Sequence, residues 1–162
     1  MLRHLWCDES DTRKAIPPEL VQRLAQRVTA SEKRHSGEIR LFVEAGLPMS
    51  YLWRDARPRE RAIAVFGKLR VWDTEHNNGV LVYLLLVERA IEIVADRGLA
   101  SKVPPPEWQA IVSRMGSALR EGRFEDGLTQ ALEEVSALLV AHFPVAAGAE
   151  NNNELPDEPV LG

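Results

Sequence analysis

The sequence has one cysteine, Cys7. That excludes an internal disulfide framework and any metal site built on a cysteine cluster, and it fits a reducing compartment. Cys7 lies near the start of the chain and reads as incidental. There is no basic excess: 20 Lys and Arg stand against 24 Asp and Glu, a formal net charge of −4. Such a chain has no positive field to hold nucleic acid or acidic lipid. No segment approaches the roughly 20 apolar residues of a membrane helix, and the opening "MLRHLWCDESDTRK" lacks the apolar stretch of a signal peptide. The chain therefore reads as cytoplasmic. Catalytic motifs are scarce too. His4, His35, His76 and His142 form no HxxxH or His-Asp pair, no serine sits in GxSxG, and Cys7 lacks the loop and arginine of a cysteine phosphatase. Trp53, Trp72 and Trp108 read as packing rather than as a base-stacking platform.

At 162 residues, 45% of them hydrophobic, the chain is long enough for one domain with a real core. Residues 1–16 read as a polar lead-in, 17–144 as the domain and 145–162 as a flexible, proline-rich tail. Leu20, Val21, Leu24, Ala25 and Val28 recur on one helical face, and "EIRLFVEAG" changes to the two-residue period of a strand. "SYLWRDARPRE" reads as a connection to a second helix over "RERAIAVFGKLRVW". "VLVYLLLV" at 80–87 is apolar at every position, which predicts a central strand covered on both faces, and Ala90–Ala95 reads as its hairpin partner across Glu88-Arg89. Two further helices follow, one carrying Trp108, Ile111, Val112, Met115 and Leu119, the other Leu128, Leu132, Val135, Leu138 and Leu139. The sum is a three-layer α/β/α sandwich with a small mixed central sheet.

The chemically dense stretch is "WDTEHNNGV", residues 72–80. A tight hairpin turn would set Asp96 and Arg97 opposite Leu81 and Val80, and a parallel crossover from the first strand would bring Glu38 to the same edge. Glu38, Asp73, Glu75 and Asp96 then converge with Asn77 and Asn78, an all-oxygen set that suits calcium or magnesium better than zinc. The same residue types also favour turns for purely local reasons. The spacing is not that of an EF-hand, since Asn78 stands where that loop needs glycine and Leu84 where it needs glutamate. Arg97 beside Asp96 reads either as a phosphate clamp or as a salt-bridged strand end.

The stretch "VFGKLRVWDTEHNNGVLVYLLLVERAIEIVADRGL", with "EGRFEDGL" opening the last helix, resembles the TPM domain over roughly residues 19–143. The resemblance implies an α/β/α sandwich, divalent-cation binding and, in some members, weak acid-phosphatase activity; other members look like assembly or maintenance factors of membrane complexes. It carries Asp73, Asn77, Asn78, Gly79 and Asp96 over as ligand positions. The chain departs from the commoner pattern in lacking a signal peptide and membrane anchor, and in having "ADRGL" where many members have a glycine-tyrosine-glycine strand end. Short anchorless members of this kind resemble bacterial proteins encoded beside LemA-type membrane proteins, which implies a membrane-associated protein partner. Two functions follow as expectations. One is an accessory interaction module with a bound cation; the other is a metal-assisted phosphomonoesterase in which Asp73, Asn78 and Asp96 hold the ion and Arg97 steadies phosphate charge.

Overall fold

A computed structural model describes residues 9–54, 56–145 and 154–162. Cys7 and His4 lie outside the described residues. One four-stranded sheet runs in the order β3-β2-β1-β4, with β1 at Glu38–Glu44, β2 at Gly79–Leu85, β3 at Ala90–Ala95 and β4 at Val160–Leu161. Helices α1 (Glu9–Ala15), α2 (Pro18–Glu32), α3 (Met49–Trp53), α4 (Pro58–Lys68), α5 (Arg97–Ala100), α6 (Pro105–Arg120) and α7 (Phe124–His142) surround it. Proline opens α2, α4 and α6, where its missing N–H costs no helical hydrogen bond.

The strand alternation divides the core. Ile39, Leu41, Val43, Val80, Val82 and Leu84 face α2, α6 and α7, while Phe42, Leu81, Tyr83 and Leu85 face α3 and α4. All seven residues of β2 are buried, as the unbroken apolar run requires, and the α/β/α sandwich is the fold. β1 and β2 pair in parallel from Glu38 opposite Gly79 to Glu44 opposite Leu85.

Five expectations change. The hairpin turn spans Leu86–Arg89 rather than two residues, because Leu86 and Val87 go on donating to the carbonyls of Glu44 and Ala45 beyond the end of β1. The register therefore pairs Val80 with Ala95, and Asp96 donates its amide to Gly79 instead of facing Leu81. The connection before α4 contains the short α3. The lead-in is not merely polar, since Thr12 in α1 and Ile16 just after it are fully buried. Within the expected tail, residues 154–162 lie against the sheet and β4 pairs in parallel with Phe42 and Val43 of β1. A two-residue strand just after a proline is too short to show a period. Trp53 and Trp72, expected in packing, are 78% and 48% exposed, whereas Trp108 packs against the core.

Candidate cation site at the acidic end of the sheet

The starts of β1 and β2 and the end of β3 lie side by side, because Glu38 is opposite Gly79 and Gly79 accepts from the amide of Asp96 (2.9 Å). The 72–78 loop sits against this end. Thr74 organises it from within: its hydroxyl accepts from the Asn78 amide (3.2 Å), its carbonyl from the Asn77 amide (3.4 Å). Asn77 takes a φ of 51°, a left-handed conformation that asparagine tolerates. The loop is pressed onto its neighbours tightly enough that two positions admit only glycine. A Cβ on Gly79 would collide with the Val71 carbonyl, and one on Gly98 with those of His76 and Asn77. Gly98 donates its amide to Asn77 at 2.7 Å, which ties the Asp96-Arg97-Gly98 corner to the loop.

The residues singled out in the sequence are thus neighbours in the chain fold, but with different roles. Asp73 and Glu75 are exposed, and Asp73 pairs with Arg70 at 2.9 Å. Asn77 is exposed; Asn78 is fully buried, and its side-chain amide donates to Ser36 Oγ (3.1 Å). Asp96 caps α5, its Oδ1 accepting from the Arg97 amide (2.7 Å). Two buried acceptors at this end, Asn78 Oδ1 and Asp96 Oδ2, receive no hydrogen bond. By strand alternation Asn78 is in phase with Val80 and Asp96 with Val94, residues of the two opposite cores. Arg97 is exposed at the first position of α5.

Glu38 belongs to a cluster that sequence spacing did not reveal. One oxygen from each of Glu32, Glu38 and Asp157 lies within 4.8 Å of the others, with Glu32 and Glu38 buried. Glu32 Oε1 accepts from the Ile39 amide (3.0 Å) at the open side of β1, and Glu38 Oε1 accepts from the Glu154 amide (2.7 Å). Asp157 accepts from the Thr29 hydroxyl (2.6 Å). Glu154 also links the two acidic groups, because its Oε2 accepts from the amide of Glu75 (3.0 Å). Burial, with the neighbouring carboxylates adding to it, raises the pKa of Glu32, and burial raises that of Glu38. Neutral carboxyl groups or a bound cation both relieve such a cluster. Oxygens on opposite sides of a calcium ion, at ligand distances of about 2.3–2.6 Å, are separated by about the spacing seen here, and all three donors are of the hard type. The trio can therefore hold a metal ion.

Glu32 had a sequence signal. It follows Leu20, Leu24 and Val28 at the same four-residue step, so an acid continues the buried stripe. Asp157 had none, because its place depends on how the C-terminal segment returns.

A small α/β/α domain with acids gathered at one end of a mixed sheet is the class defined by these features. The TPM-domain profile matches residues 10–138, and the chain belongs to the TPM-domain family. Among solved structures it is similar to the BA42 protein of the psychrophilic bacterium Bizionia argentinensis, with 25% identity, 91% of this chain and 95% of that one covered, and a TM-score of 0.76. It is also similar in fold to the N-terminal domain of a P. gingivalis protein, with 20% identity, coverage of 75% and 76%, and a TM-score of 0.59. No curated protein matches the sequence. Asp157 and Glu154 fall beyond the matched residues, whereas Glu32, Glu38 and the 72–78 loop fall within them.

Proposed function

We propose that the chain is a TPM-type accessory module that binds a divalent cation, calcium or magnesium, at the acidic end of its sheet and serves the assembly or maintenance of a membrane-associated complex. The observation that carries this reading is the Glu32, Glu38 and Asp157 cluster, three oxygen donors already within the span of one hard cation. Asn78 Oδ1 and Asp96 Oδ2, buried acceptors on opposite faces next to Gly79, are single additional oxygens at this end of the sheet, with the exposed Asp73, Asn77 and Glu75 on the adjoining loop. No helix among the described residues is long and apolar enough to cross a membrane. The module works in the cytoplasm and reaches the membrane through a protein partner of the LemA type, a role supported by the family resemblance. Calorimetric titration of calcium, magnesium and zinc into chelator-treated protein tests the cation, with Glu38→Gln and Asp73→Ala compared in parallel. Heat of binding for calcium or magnesium that is lost in Glu38→Gln supports the reading; no binding of either ion sinks it.

A further inference from the structure

Residues 154–162 are held on the domain much as a bound peptide would be. Arg40 Nη1 donates to the carbonyls of Pro156 (2.9 Å) and Glu158 (2.7 Å), the Gly162 amide donates to Val43 (2.7 Å), and the Thr12 hydroxyl donates to the Gly162 carbonyl (2.8 Å). With the Glu154 amide on Glu38, most of the polar contacts are to main-chain groups of the segment. Recognition of that kind tolerates different sequences, as in other cases where an extended peptide is added to a sheet edge. Leu155 supplies the side-chain anchor, seated in the core on the α3 and α4 side.

Two features mark this attachment as exchangeable. Its strand pairing covers only Phe42 and Val43 of the seven residues in β1. It also leaves space, since a cavity of about 520 Å³ with largely apolar walls, including Ile16, Val21 and Ala25, remains beside Pro159 and Leu161. The segment lies beyond the residues that define the family, while the edge that receives it lies within them.

We propose that the outer edge of β1, with Arg40, Thr12 and the seat of Leu155, is a peptide-accepting site, filled from within by residues 154–162 and opened to a partner's segment by their displacement. The occupant is an extended, acidic, proline-bearing segment with apolar anchors at both ends, and a larger apolar side chain than Pro159 would enter the cavity. This docking mode rests on the accessory-module reading for the existence of a partner but not on the cation, so its test is run in metal-free buffer. A tethered segment competes at an effective concentration in the millimolar range, which sets how strongly it masks the site.

The probe is a fluorescein-labelled peptide of the sequence ELPDEPVLG, titrated into the full chain and into the full chain carrying Leu155→Asp and Leu161→Asp, which disable the internal segment and leave the edge intact. The disabled variant, shown to be folded by circular dichroism, is expected to bind the peptide at least tenfold more tightly than the wild type. Adding Arg40→Ala should reverse that gain at least tenfold. In the wild type, millimolar unlabelled peptide should speed hydrogen exchange at the Gly162 amide. Equal affinity for wild type and folded disabled variant, or no affinity for either, overturns the proposal. So does a concentration-dependent dimer of the wild type that Leu155→Asp and Leu161→Asp abolish, because the occupant would then be a second copy.

Discussion

Asp157, from the returning C-terminal segment, places a carboxylate oxygen within 4.8 Å of Glu32 at the end of α2, so a residue outside the family-matched region completes a cluster begun inside it. Glu38→Gln and Asp157→Asn are each expected to weaken calcium or magnesium binding at least tenfold, equivalent to about 1.4 kcal/mol. Asp73→Ala, which removes an exposed carboxylate paired with Arg70, should change it less than about threefold. Calorimetry on the three variants checks this, and the reverse ranking would move the ion to the 72–78 loop.

Leu84 is fully buried in the strand that both cores share. Replacement by alanine should cost about 2–5 kcal/mol through lost transfer energy and the residual cavity. Urea denaturation measures it, and a loss under about 1 kcal/mol would contradict a central role for β2.

Glu44 is the hub of a buried polar network. Its carboxylate accepts from Arg61 Nε (3.0 Å) and Nη2 (2.8 Å) and from the Tyr83 hydroxyl (2.8 Å). Glu44→Ala strands a partly buried guanidinium and a buried phenol, and the expected loss is about 3–5 kcal/mol. Adding Arg61→Met should recover part of it in a double-mutant cycle, because the unpaired charge is then gone. A full cycle with no coupling would show that the two groups act separately.

His35 is fully buried against Ser31, and burial lowers its pKa to about 4. An imidazole with a folded pKa below its unfolded value favours the folded state only above the unfolded value. Its contribution is complete above about pH 6.5 and is lost as pH falls through about 4, on the order of 3 kcal/mol. Glu32 and Glu38 have the opposite sign: their folded pKa values are raised, so the metal-free protein loses their share of stability as pH rises above about 4.5. Denaturation from pH 4 to 8 should therefore show a shallow maximum without cation. With Glu32→Gln the neutral-side decline should flatten, and an unchanged profile would contradict the assignment.

Hydrolysis of p-nitrophenyl phosphate should be feeble and unaltered by Asp73→Ala or Arg97→Ala. Arg97 is exposed at the start of α5, and Asp96 uses one oxygen to cap that helix. A cation-dependent rate that falls at least about tenfold in both folded variants would establish metal-assisted phosphatase chemistry instead.

The apolar run of β2, the stripe of α2 and the hairpin with β3 were legible because burial of a strand or helix face leaves a period in the sequence. The gathering of Glu38, Gly79 and Asp96 at one end followed from parallel pairing of β1 with β2, even though the longer turn shifts Asp96 by two residues. The exposed setting of Asp73 and Glu75 was not legible, because acids in an ordered turn and acids around an ion have the same composition. Nor was the return of residues 154–162. Its contacts run through Arg40, Thr12, Thr29 and main-chain groups, none of which forms a pattern along the chain.

The returning segment also bears on how the chain avoids sticking to itself. An uncovered strand edge is a template for any other strand, and among the described residues the outer side of β1 is paired by β4, which follows every helix and every other strand in the sequence. The returning residues make a poor template in turn: Pro156 and Pro159 offer no amide, and Glu154, Asp157 and Glu158 add negative charge along the new edge. A ribosome-bound chain that has emerged only as far as His142 has its helices in hand but its sheet still open on one side, so the interval before Val160 and Leu161 appear is when it is most exposed to aggregation.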